Sequence, residues 1–173
     1  MGIVLARVDD RLLHGQVAHG WGSVLHPGLY VIVDRETAED DWALEAMAAA
    51  AGGETEVVAI APEIVGSVAG RVSDVPTVVL FRDLGSLRAA AEHGLLEGVE
   101  VNLGGLREVP AEVRLLPYLS LSRHSAQQLL ELLRGGMPLF AQDLPSSKRY
   151  DARWLISRLE DLLAGAAGTG KSE

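Results

Sequence analysis

The sequence predicts an α/β fold: an open, twisted, mainly parallel sheet with helices on both faces and an active loop after the first strand. Three observations lead there. Short apolar runs alternate with longer stretches of helical period, the order that builds strand–helix–strand units. The connections are short and punctuated by Gly and Pro. Hydrophobic residues make up 48% of the 173 but aromatics only 5%. The interior is therefore built of Val, Leu, Ile and Ala, as in strands buried on both faces.

Residues 3–8 (IVLARV) read as the first strand and 15–25 as a helix. LYVIVD (29–34) is the second strand. Residues 37–51 read as one helix: Thr37 offers a hydroxyl cap, acids fill the first turn, and Gly52-Gly53 stops it. EVVAIA (56–61) is the third strand, and Pro62 opens a short helix ending near Gly70. PTVVLF (76–81) is the fourth strand, and 84–93 is a helix ended by Gly94. VEVNL (99–103) is the fifth strand, with a Gly104-Gly105 turn after it. Residues 113–121 contain Pro117 and read as an edge strand or two short pieces. An amphipathic helix follows over 123–134, capped by Ser122, then a strand over 137–144 and a last helix over 151–164. One domain is expected over 1–164, with a disordered tail over 165–173.

Composition narrows the function. The net charge of −9 argues against nucleic acid or an anionic membrane surface as the main partner. The absence of cysteine excludes disulfides and thiolate metal or redox sites. No stretch approaches a membrane span, and no basic region leads into an apolar one at the N-terminus, so a cytoplasmic location is expected.

The stretch VDDRLLHGQVAHGW (8–21) holds the candidate chemistry. It lies at the carboxyl end of the first strand, where open parallel sheets bind ligands, and runs into a helix N-terminus, which favours anions. Gly15 allows close backbone approach. Arg11 offers a fork that suits phosphate oxygens. His14, neutral near pH 7, can attack phosphorus and carry the group as a phosphoramidate. Backbone N–H groups of Leu12, Leu13, Gly15 and Gln16 are the expected cradle. The plainer reading of the same residues is a capping aspartate, a surface arginine and a histidine bonded to backbone.

The stretch closely resembles the signature of the mannose/sorbose-class enzyme IIB components of the bacterial phosphotransferase system, which reads Arg-Ile-Asp-Asp-Arg-Leu-Ile-His-Gly-Gln-Val with a tryptophan a little later. The matches are Arg7, Asp9, Asp10, Arg11, His14, Gly15, Gln16, Val17 and Trp21. VNLGGL (101–106) resembles the family's Val-Asn-x-Gly-Gly stretch and adds Asn102 and Gly104 as supporting candidates. The resemblance implies that His14 accepts a phosphoryl group from a phosphorylated IIA protein and passes it to a sugar bound by membrane IIC/IID components. It implies that Arg11 helps hold the group and that neither cofactor nor metal is needed. Asp9 and Asp10 orient Arg11 or the imidazole, or only shape the loop. Where many members carry a small polar residue and a proline, this chain has Arg82-Asp83-Leu84. Arg82 is either a second cation for phosphate or a surface arginine paired with Asp83.

Other features are weighed and set aside. GAAGTGKS (165–172) has the spacing of a phosphate loop but follows a helix instead of a strand. Asp34 lacks the glycine fingerprint of a dinucleotide site and reads as a strand-end turn residue. Trp21 reads as core. His14, His19 and His26 lack the spacing of a helical metal pair, and His93 and His124 read as helix-end or surface residues. A regulatory phospho-receptor of the same family, with no transported sugar, and a small α/β enzyme acting on a phosphorylated metabolite remain as alternatives. The oligomeric state is open, a homodimer included. A carrier's histidine is expected in a shallow, solvent-reachable depression near Gly104 and Arg82.

Overall fold

A computed structural model of the chain describes residues 2–53 and 55–165. Eight strands form one sheet: β1 (Ile3–Asp9), β2 (Leu29–Val33), β3 (Glu56–Ile60), β4 (Thr77–Phe81), β5 (Val101–Arg107), β6 (Val113–Leu116), β7 (Leu119–Leu121) and β8 (Leu139–Ala141). Their order is β3-β2-β4-β1-β5-β7-β6, with β8 also paired to β5. Every pairing is parallel except β6 with β7.

Alternation along the strands sorts the apolar residues to two faces. Leu5, Tyr30, Ile32, Val78 and Leu80 lie under Val17, Trp21 and Met47. Ala6, Val8, Val31, Val33, Val79 and Phe81 lie under Leu87, Leu129 and Leu155 on the other side. The sheet is covered on both faces, as the alternation of elements predicts.

The helices are α1 (Gly22–Leu25), α2 (Arg35–Ala38), α3 (Asp41–Ala50), α4 (Ala69–Asp74), α5 (Leu84–Glu92), α6 (Arg123–Arg134) and α7 (Ala152–Gly165). The expected helix over 15–25 begins with a wider π-type turn, Gln16–Trp21, that runs into α1. The single helix expected over 37–51 is two. Asp34 caps α2, accepting from the Thr37 N–H at 2.9 Å, and Asp40 caps α3, accepting from Trp42 and Ala43. Thr37 is not the cap; its hydroxyl donates to Asp34. A 3₁₀ turn, Pro62–Val68, leads into α4, so helical structure continues past Gly70.

The fifth strand is longer than expected. Gly104 and Gly105 are not a turn but lie inside β5, which continues to Arg107. Residues 113–121 form the two short strands β6 and β7, and β8 is shorter than the expected 137–144. Gly165 closes α7, while the remaining expected tail and most of the phosphate-loop-like stretch lie outside the described residues.

Candidate functional site

β1 lies between β4 and β5, and its carboxyl end opens into the loop that carries His14. The segment after β1 covers one face, and α5 after β4 covers the other. The carboxyl ends of β1 and β4 therefore flank a crevice of the kind in which open α/β sheets bind ligands.

Beneath the loop is a buried polar network. Arg7, with no exposed surface, donates from Nη2 to Asp9 Oδ2 at 2.8 Å. Its Nη1 donates to Asn102 Oδ1 at 2.6 Å and to the Gln142 carbonyl at 3.1 Å. Asn102 Nδ2 donates to that same carbonyl at 3.0 Å. Burial pulls the Arg7 guanidinium below its ordinary pKa, against the opposing pull of Asp9. The guanidinium remains charged, since arginine does not give up its proton in proteins.

The two glycines of β5 exist because of this network. A Cβ on Gly104 would lie 1.8 Å from Arg7 Cζ, and one on Gly105 would lie 3.1 Å from Asp9 Oδ1. Both strands are paired here, Arg7 with Asn102 and Asp9 with Gly105. The absent side chains are replaced by a guanidinium and a carboxylate from β1.

Asp9 and Asp10 hold different things. Asp9 is buried, and its Oδ1 accepts from the Arg11 N–H at 3.2 Å and from Arg11 Nε at 3.4 Å. Its Oδ2 lies 3.9 Å from His14 Nε2. Asp10 ties the loop to β5: its N–H donates to the Gly105 carbonyl, and its carboxylate accepts from the Arg107 N–H and guanidinium. The hydrogen bond to Asp10 raises the Arg107 pKa.

His14 is held by its own loop. Nδ1 donates to the Leu12 carbonyl at 2.8 Å, so in the neutral ring Nε2 carries the lone pair. Nε2 is buried and has no hydrogen-bond partner among the described residues. The side chain is 19% exposed. The ring is thus partly open to solvent, while its Nε2 atom is covered. Leu12, wholly buried, adopts a left-handed backbone with φ of 54° that aims its carbonyl at the ring.

The expected backbone cradle is only partly available. The Leu12 N–H is taken by the Asp9 carbonyl at 2.9 Å, and the Leu13 side chain is buried in the core. Gly15 precedes the first helical turn, and Gln16 Oε1 accepts from Arg11 Nη2 at 2.7 Å. Arg11 thus reaches across the loop mouth with its side chain about one-third exposed.

Arg82 does not pair with Asp83, which instead caps α5 by accepting from the Ser86 N–H. Arg82 Nη2 donates to Asp34 Oδ2 at 2.7 Å, and Nη1 to the Asp10 carbonyl at 3.4 Å. The Asp34 hydrogen bond raises its pKa. Burial pushes the Asp34 carboxyl up, but hydrogen bonds from Arg82 and Thr37 outweigh that and hold it below the usual value. Trp21 is core, with its indole N–H donating to the Asp143 carbonyl at 3.0 Å.

The structure brings His14, Arg11, Asp9, Asp10, Gln16 and the Gly104-Gly105 stretch together, with Arg82 at the edge. Sequence reasoning assigned no role to Arg7, Gln142 or Arg107. The signal for Arg7 was present, a lone charge inside the apolar run IVLARV. Gln142 and Arg107 carried none.

The chain matches the model of the sorbose-subfamily IIB component of the phosphotransferase system over residues 3–164. It is 28% identical over 141 residues to the sorbose-specific EIIB component of Klebsiella pneumoniae, covering 80% of this chain and 85% of that one. It is 25% identical over 153 residues to the fructose-specific EIIB component of Bacillus subtilis, covering 87% and 93%. The solved IIB domain of the Klebsiella pneumoniae sorbose permease superposes with a TM-score of 0.79 over 93% of this chain and 98% of that one, at 24% identity, a likeness of fold. With this match along nearly the whole described length, the chain belongs to the sorbose-subfamily IIB components of the sugar phosphotransferase system.

Proposed function

We propose that His14 is the phosphoryl carrier. It receives the group from a phosphohistidine on a IIA protein and delivers it to a sugar held by membrane IIC/IID components, working on the cytoplasmic side. In the first step a lone pair of the His14 ring forms the new P–N bond while the donor's P–N bond breaks, and the ring proton His14 gives up ends on the departing donor imidazole. In the second, a sugar hydroxyl oxygen attacks phosphorus, the His14 P–N bond breaks, and the hydroxyl proton ends on the departing His14 ring. No metal or nucleotide enters, because the donor is already a phosphohistidine.

The observation that carries this reading is the placement of His14 at the carboxyl end of the central β1, with the Arg11 guanidinium across the loop mouth. Arg11 supplies charge for the transferring group, and catalysis rests on positioning and electrostatics. Arg7 neutralises Asp9 from below, which lets an anion approach a ring 3.9 Å from that carboxylate. The test is incubation with a phosphorylated IIA protein, followed by mass spectrometry under alkaline conditions that preserve phosphohistidine. A single label on His14, lost in a folded His14→Ala variant, is expected. A label that persists in that variant overturns the assignment.

A further inference from the structure

A second depression, of about 460 Å³, opens where the first helix meets the amino end of β2, away from the carboxyl-end loop that carries His14. His19 and Ser23 from that helix, His26 from the turn and Thr55 from the far wall surround it, and Tyr30 lies at its base.

Tyr30 is only 2% exposed, and its ring packs in the apolar cluster beneath the helix. Its hydroxyl makes no hydrogen bond to any described residue. A tyrosine keeps its O–H on a partner or on water, and this hydroxyl opens into the depression. The helix keeps the hydroxyl open: a Cβ on Gly22 would lie 2.6 Å from Tyr30 Oη. His26 is also placed against local preference. It ends α1 with φ of 47°, a left-handed cap position that glycine usually fills, and its N–H donates to the Gly22 carbonyl at 2.8 Å. An imidazole stands on the rim where a residue without a side chain would serve the turn.

The lining decides the class of ligand. Among the described residues it holds two imidazoles and three hydroxyls but no carboxylate, lysine or arginine. The carbonyl end of the first helix points here, and its partial negative charge disfavours anions and favours hydrogen-bond donors. Among the described residues no group of three His, Asp or Glu side chains is gathered to hold a metal. Ligand hydroxyls both donate and accept, which suits imidazoles, alcohols and a phenol together. We propose that this depression binds a small, uncharged, polyhydroxylated molecule of monosaccharide size through Tyr30, His19 and His26. Neither His14 nor Arg11 lines it.

The experiment is a titration of the ¹⁵N-labelled full chain with D-glucose, D-fructose and D-glucitol, each to about 100 mM, enough to detect millimolar affinity. The signals followed are the amides and imidazoles of residues 19 and 26 and the Tyr30 ring. Saturable shifts are expected with at least one polyol. Tyr30→Phe removes one oxygen from an otherwise unchanged ring and should weaken binding about three- to tenfold, the loss of one hydrogen bond. His19→Ala, at an exposed wall, should weaken it as well. The proposal is overturned if none of the three polyols saturates, if both variants bind as the parent does, or if inorganic phosphate or Zn²⁺ saturates the site in preference to the polyols. Labelling of His14 is measured separately, so either result can fail without the other.

Discussion

Arg7 holds Asp9, Asn102 and the Gln142 carbonyl at once, and its guanidinium lies where a side chain on Gly104 would be. Gly104→Ala therefore forces the guanidinium aside. Disrupting a buried ion pair costs about 3–5 kcal/mol, whereas the backbone gain from replacing glycine is only about 0.4–1 kcal/mol. A net loss of about 2–4 kcal/mol is expected, read from the urea midpoint. An unchanged midpoint would mean that the network repacks freely. Arg11 differs, since its guanidinium faces the loop mouth and reaches Asp9 only at 3.4 Å. A guanidinium held on phosphate contributes about 1.5–3 kcal/mol, so Arg11→Ala should slow transfer from the IIA donor about ten- to a hundredfold. Arg11→Lys should recover part of the rate, because an ammonium lacks the bidentate fork. Transfer at the parent rate in the alanine variant would make Arg11 structural.

At the scale of elements, caps decide where the helices break. Asp34 and Asp40 each accept N–H groups of a following turn, and two short helices form where composition alone reads one. Asp40→Ala should cost about 0.5–2 kcal/mol, seen as a lower thermal midpoint with His14 labelling unchanged. If labelling falls with stability, α3 is coupled to the site. The order of strands and helices was legible because period and punctuation are local, and α6 begins and ends where its Ser122 cap and Gly135 put it. The loop chemistry was legible through its motif. What the sequence hid depends on distant neighbours. Gly104-Gly105 reads as a turn until Arg7 and Asp9 are laid across it. Arg82 looks paired with adjacent Asp83, yet Asp83 is occupied in capping, and Asp34 of another connection takes the guanidinium. The left-handed Leu12 that ties the His14 ring down carries no local signal either.

For the whole molecule, these contacts set the range of pH over which the fold holds. Burial raises the carboxyls of Asp34 and Glu108, but hydrogen bonds outweigh it and hold both below their usual values: from Arg82 and Thr37 to Asp34, and from Ser125 and Ser122 to Glu108. A lowered folded pKa means that the unfolded chain binds the proton first on acidification. Their contribution is therefore full above about pH 4–5, the ordinary carboxylate range, and is lost as pH falls through the lower folded values. Tyr118 acts at the other end. Burial, with the nearby Asp143 charge, pushes its phenol up to about 12. Between the ordinary tyrosine value of about 10 and that raised value, the unfolded chain loses its proton while the folded chain keeps it. Stability falls there as pH rises. The Tyr118 hydroxyl has no partner among the described residues, so Tyr118→Phe removes an unmet polar group and should leave neutral stability equal or slightly higher. The same variant should flatten the alkaline decline between about pH 10 and 12 and leave the acid limb unchanged. Urea midpoints across the pH range, for parent and variant, separate the two limbs. An alkaline decline as steep in Tyr118→Phe as in the parent would assign that limb to other groups, Tyr30 first, since burial raises its pKa as well.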